Sequence, residues 1–261
     1  MFPAFLAQLA AGCFLAVAVC AIRTSGWRYL RMMAILSGAL ALLAVVFLVR
    51  EGNLTVANLR LPALIGVAVG CLCTFAWLFV NAAQGEAVGV AQRIWPAAAG
   101  IACLLSAVVL VFDADAPTAR RLALAAGTGL GAGLLGTATA AMLLGHRYLI
   151  DFQMPIAPLR RLTMIYLGVL VLRIGWVAVT SLPLWSAGFH PAGSALYFWL
   201  AVCVRVGVGL VVTAIFGWMA WDCVRRRATQ SATALFYLSM IMVFIGELSS
   251  QFLMRTEQLA M

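Results

Sequence analysis

Residues 162–182, LTMIYLGVLVLRIGWVAVTSL, carry a single charged side chain, Arg173, near their centre. At about 1.5 Å of rise per residue, a helix of this length spans about 30 Å, the thickness of a bilayer's hydrocarbon core. Similar apolar stretches recur along the chain at about 2–22, 32–49, 61–82, 94–112, 122–145, 194–221 and 232–253. Polar residues and helix-ending signals separate them, as in Arg50-Glu51-Gly52-Asn53 and Asp113-Ala114-Asp115-Ala116-Pro117. The pattern predicts an all-α integral membrane protein, a bundle of about eight transmembrane helices in one polytopic domain over 1–261.

Composition gives the same class. Of 261 residues, 65% are hydrophobic and 10% charged, against about 45–50% and about 25% in soluble domains. A soluble fold of this size still exposes about a quarter of its chain surface, too much to hide so apolar a sequence. No run alternates apolar and polar residues over about ten positions, so a β-barrel is excluded and helices remain. The net charge of +9 would point to nucleic acid in a soluble protein. Here most arginines sit in short loops between spans, and no nucleic-acid partner is expected.

Those loops set an orientation. Arg23, Arg28, Arg31, Arg93, Arg147, Arg160, Arg161, Arg225, Arg226 and Arg227 fall on one side, and Arg50, Arg60, Arg120, Arg121 and Arg255 on the other. Basic residues concentrate on the cytoplasmic side, so both termini are expected outside. The Met1-Phe2-Pro3-Ala4 start has no basic segment, which speaks against a cleaved signal peptide. All 17 basic residues are arginine, a bias of GC-rich bacterial genomes, which makes the expected location a bacterial cytoplasmic (inner) membrane, multi-pass.

The fifth span is rich in glycine. Gly127/Gly131 and Gly129/Gly133 are G-x-x-x-G pairs, read as surfaces for close helix approach in lipid. The same residues satisfy a dinucleotide-binding pattern, but inside a membrane span there is no βαβ unit to support it. The seven cysteines, Cys13, Cys20, Cys71, Cys73, Cys103, Cys203 and Cys223, lie in or beside apolar segments and read as small packing residues.

Charges within spans are the candidates for chemistry, since each costs about 2.5–3.5 kcal/mol at the bilayer centre on insertion scales. Arg173, Arg205 and Glu247 lie in the sixth, seventh and eighth spans. Counting residues from the outer ends puts them about 13, 16 and 9 Å deep, close enough for Glu247 to pair with either arginine. One acid and two bases leave a positive charge over. Two readings follow: a buried ion pair that fixes helix register, or a guanidinium that binds a polar or anionic group such as a quinone carbonyl or a phosphate headgroup. Gln8 and Gln251 fall near the same level and read as interhelical contacts.

A second cluster lies at the end of the fifth span and in the following loop, with His146, Arg147, Tyr148 and Asp151, then Arg160 and Arg161. His and Tyr suit proton transfer and contacts to quinone oxygens, while the plainer reading is a Tyr/Arg belt that anchors a helix end. The two histidines, His146 and His190, fall on opposite faces, so no haem is expected in this chain. No residue set has metal-ligand spacing, no metal is expected, and no catalytic residue is assigned.

Two segments resemble the NrfD/DmsC-type membrane subunits that anchor redox modules and exchange electrons with quinone. The opening Phe5-Leu6-Ala7-Gln8-Leu9-Ala10-Ala11-Gly12-Cys13-Phe14-Leu15 is similar to that family's Gly/Ala-rich first span. The closing Ile245-Gly246-Glu247-Leu248-Ser249-Ser250-Gln251-Phe252-Leu253 is similar to its G-E-L motif. The resemblance implies a membrane-anchor subunit of a respiratory or electron-transfer complex. It implies a quinone site involving Glu247, and extrinsic and membrane redox subunits as partners besides membrane lipid. The competing expectations are a small-molecule or lipid transporter, against which no internal repeat is visible in the sequence, and a ligand-free scaffold or assembly subunit.

Overall fold

A backbone in hydrocarbon must satisfy its own hydrogen bonds, and a helix does so within one segment. In the computed structural model, described for residues 2–19, 27–50, 60–84, 91–111, 117–150, 154–182 and 194–256, helices account for nearly all of these residues and no strand occurs among them. The helices are α1 Phe2–Val19, α2 Trp27–Arg50, α3 Arg60–Gln84, α4 Ala91–Val111, α5 Thr118–Ile150, α6 Ala157–Ser181, α7 Ala195–Arg225 and α8 Thr229–Thr256. Over their described residues seven of them, all but α3, are long and apolar enough to cross a membrane, and the described part of α3 gives an apolar stretch at Leu61–Ala76. Large apolar side chains face outward, among them Leu72 (68% exposed), Leu196 (73%) and Trp218 (67%), as lipid contact requires.

The helices run past the apolar stretches into polar sequence. Gly145-His146-Arg147-Tyr148, expected as a span end and loop, is the last part of a 33-residue α5. Nothing in the segment breaks a helix, and arginine can reach from a helix end to the headgroup layer along its own stem.

Two helices form the axis of the bundle. The spans of α1 and α5 are each 78% buried inside the protein, against 28–39% for the other five. Their Gly/Ala-rich sequences permit this, and the closest approach is Gly12 against Gly136. A β-carbon on either would overlap backbone atoms of the other helix. Around α1 the chain closes one ring, α1–α2–α3–α4 and back to α1. Around α5 it closes a second, α5–α6–α7–α8 and back to α5. Each ring is an up-and-down four-helix arrangement of sequence neighbours.

The glycine pairs of α5 do different work from that expected. Gly133 packs near Val169 of α6, but a side chain at Gly129 would meet nothing within 4 Å, so Gly129 is not at a contact within this chain. Gly127 and Gly131 face the polar site described below. Close approach in α5 centres instead on Gly136. In α3, Gly66 and Gly70 do lie against α4, at Ser106 and Cys103. Of the cysteines, Cys13, Cys71 and Cys103 are buried, Cys203 is exposed, and all six described thiols are free, while Cys20 lies outside the described residues.

Within α7 the winding changes. Val204–Val212 is a π-helix between α-helical Ala195–Cys203 and Thr213–Arg225, and the Thr213 hydroxyl donates five residues back to the Val208 carbonyl at 3.2 Å. π-Helical turns are uncommon, and where they occur they often mark functional sites.

Candidate functional site

Arg173 on α6, Arg205 on the π stretch of α7 and Glu247 on α8 meet in the second ring, and all three are fully buried. Arg173 is held on every side. Its Nε donates to Glu247 Oε1 at 3.1 Å and its Nη2 to Oε2 at 3.0 Å, a bidentate pair. Its Nη1 donates to the Gly127 carbonyl of α5 at 2.9 Å, and Nη2 also reaches Ser250 Oγ at 3.3 Å. A buried ion pair offsets its desolvation only when its remaining donors are satisfied too. Arg173 meets that condition.

Arg205 does not. Its Nη1 lies 2.9 Å from Glu247 Oε1, within ion-pair range but off the hydrogen-bonding direction. Its Nε and Nη2 are buried with no hydrogen-bond partner among the described residues. The guanidinium rests over the point where α7 and α8 cross. A β-carbon on Gly209 would sit 2.5 Å from the Gly246 α-carbon, and one on Gly246 would sit 3.3 Å from Arg205 Nη1. Two glycines at one crossing let the backbones close up and leave room for the guanidinium beside them. The π winding fixes the rotation at which Arg205 leaves α7.

Further polar groups surround the three charges. Gln8 of α1 donates to the Thr128 carbonyl at 3.0 Å and accepts from Gln251 Nε2 at 2.8 Å, which makes it the interhelical contact expected. Gln251 Oε1 is buried without a partner. A β-carbon on Gly131 would sit 2.5 Å from Glu247 Oε2, so this glycine makes room for the carboxylate. Trp176, one turn beyond Arg173 on α6, has a buried indole N–H with no hydrogen-bond partner among the described residues. No other described carboxylate lies at the cluster, so its formal charge is +1. About 10 Å along α6, the Tyr166 hydroxyl pairs with Ser239 Oγ of α8, both fully buried.

The second predicted group does not join the first. Gly127 and Tyr148 are 21 positions apart on one helix, which separates the two groups by about 30 Å. Nor do its members converge, since consecutive helix positions point about 100° apart. His146 is exposed, its Nδ1 lying 3.4 Å from the Tyr237 hydroxyl with the rings edge to face. Arg147 Nε donates to Met154 Sδ at 3.2 Å, and the buried Tyr148 donates to the Pro155 carbonyl. These contacts tie the end of α5 to the start of α6. Asp151 and His190 lie outside the described residues. Among those described, no three His, Cys, Asp or Glu side chains are grouped to hold a metal.

The Gly127 carbonyl and the Tyr166–Ser239 pair were not singled out from sequence, whereas Ser250 was read as one of the polar residues of the last span. Ser250 had a signal, three residues from Glu247 and so on the same side of α8. The carbonyl had none, because every residue has one. No family model, curated protein or solved structure matches the chain.

Proposed function

We propose that the chain is the membrane-anchor subunit of a quinone-linked electron-transfer complex, and that Arg205 receives the polar head of the quinone. The observation that carries this reading is a fully buried guanidinium with Nε and Nη2 left without acceptors. An unmatched cation in a low-dielectric interior is costly, and a ligand oxygen lowers that cost. A quinone carbonyl suits because the rest of the molecule is as apolar as the surrounding helices. Glu247, held by both arginines, balances one of the two charges and fixes Arg205 in place. The Ile245–Leu253 resemblance leads to the same carboxylate. His146, Arg147 and Tyr148 lie outside this site.

In this reading α3 completes eight crossings, the arginine-rich loops face the cytoplasm of a bacterium, and both termini face outward. Extrinsic and membrane redox subunits would carry the electron-transferring centres. The test is binding of a quinone analogue to the purified protein and to Arg205→Met, which keeps the Arg173–Glu247 pair. Binding at least tenfold weaker in the variant is expected, and equal binding would remove the site. A second reading, a small-molecule or lipid transporter, is favoured by the two four-helix rings and the π-interrupted α7. Substrate flux through liposomes holding this chain alone would select it.

A further inference from the structure

At the arginine-rich end of the second ring, the turn between α7 and α8 places a residue where its side chain is disfavoured. The α7 terminus closes with Arg227 N–H donating to the Val224 carbonyl at 3.2 Å and Ala228 N–H to the Cys223 carbonyl at 2.9 Å. This paired arrangement requires a left-handed residue between them, usually glycine. Here it is Arg227, with φ of 59°, the one described non-glycine residue at positive φ. A β-carbon in that region is disfavoured by about 1 kcal/mol or more, and strain that persists in a fold is a reason to look for function.

Arg227 lines a cavity of about 600 Å³ between the α7–α8 turn and the start of α6, together with Tyr148, Met154, Ile156 and Thr229. That volume is in the range of ligand pockets. The surroundings are basic. Arg160, Arg161 and Arg225 stand on the adjoining helix ends, and the described acid nearby, Asp222, is engaged by Arg226 at 2.8 Å. No ion pair or hydrogen bond engages the Arg227 guanidinium among the described residues. Cavity, spare cation and backbone strain fall on one residue at the level where a helix leaves hydrocarbon.

We propose that this cavity binds a phosphate monoanion, the headgroup phosphate of an anionic membrane lipid, with Arg227 as its principal contact. A basic pocket between helix ends is suited to such headgroups, and one arginine in contact with the phosphate strengthens binding about fivefold. The site is independent of the quinone reading, about 30 Å along α7 from Arg205.

The test extracts the full chain from bilayers of equal phosphatidylglycerol and phosphatidylcholine and measures retained lipid by mass spectrometry. The wild type is expected to enrich phosphatidylglycerol about fivefold. Arg227→Gly, which fits the left-handed backbone and removes the charge, is expected to fall to the bulk ratio while its thermal unfolding midpoint stays equal or rises. Arg227→Asn, also tolerant of positive φ, should behave alike. Arg226→Ala, outside the cavity, should keep the enrichment. Unchanged enrichment in Arg227→Gly, or equal loss in Arg226→Ala, would overturn the site. Inorganic phosphate is titrated in lipid-free detergent as a further arm. Arg227-dependent binding there at micromolar concentration would make the ligand a soluble phosphate and overturn the lipid assignment.

Discussion

Arg173 and Arg205 carry the same charge to the same carboxylate, yet their surroundings divide them into a structural and an available cation. The difference is one of acceptors. Arg173 finds Glu247, Ser250 and a backbone carbonyl, while Arg205 finds part of one carboxylate. The charges themselves were legible in sequence, because a charge among apolar residues has few reasons to be there. Their pairing was legible from helix depth. Which arginine is saturated was not, since it turns on the Gly127 carbonyl and the π rotation of α7, neither of which has a side-chain signature. The same holds for Tyr166 and Ser239, two ordinary residues until packing joins them. Replacing Tyr166 with Phe is expected to lower stability by about 1 kcal/mol, the scale of a hydrogen bond between membrane helices. Adding Ser239→Ala to that variant should cost almost nothing more in a double-mutant cycle. Additive losses from the two changes would show that the pair is not coupled.

At the scale of helices, the positions of all eight elements followed from apolar length, and several ends, such as Ile150 of α5 and Ala157 of α6, lie about five residues beyond the apolar stretches. The reason is that hydropathy reports where side chains prefer lipid, whereas a helix continues until something breaks it. Glycine content marked α5 as a close-packing helix, and it is one of the two most buried spans. The particular glycines were not legible, because a G-x-x-x-G spacing gives a face and not its partner. Gly136 meets Gly12 across α1, and Gly129 meets nothing. Gly136→Ala should therefore force the two central helices apart and lower the unfolding free energy by about 2–3 kcal/mol, an overpacking cost. Gly129→Ala should be neutral or stabilising by up to about 1 kcal/mol, from helix propensity alone. Unfolding of both variants in one detergent checks this, and equal losses would mean that the α1–α5 crossing is misplaced.

The molecule as a whole is two rings of four helices sharing an α1–α5 contact, and among the described residues the buried charges lie in the second ring. Neither ring was visible as a repeat in sequence, since a helix ring is specified by which faces are small and apolar, and many sequences satisfy that. In the first ring, Ser37, Thr74 and Ser106 turn their hydroxyls onto backbone carbonyls of their own helices. That half is held mainly by packing, with few interhelical hydrogen bonds among its described residues, such as Tyr29 to the Ala140 carbonyl at 2.9 Å, and the second half spends part of its interior on charge. In the proposed function the charges divide into a pair that holds helices together and a cation held ready by them. The direct measurement is the unfolding free energy of three variants under identical conditions. Glu247→Gln leaves two buried guanidinium charges uncompensated and should lose about 3–5 kcal/mol. Arg173→Met breaks the bidentate pair and the bonds to Gly127 and Ser250 and should lose at least about 2 kcal/mol. Arg205→Met leaves a neutral, fully hydrogen-bonded pair and should stay within about 1 kcal/mol of the wild type. If Arg205→Met is as damaging as Arg173→Met, then Arg205 is a structural member of the cluster and no cation is held in reserve.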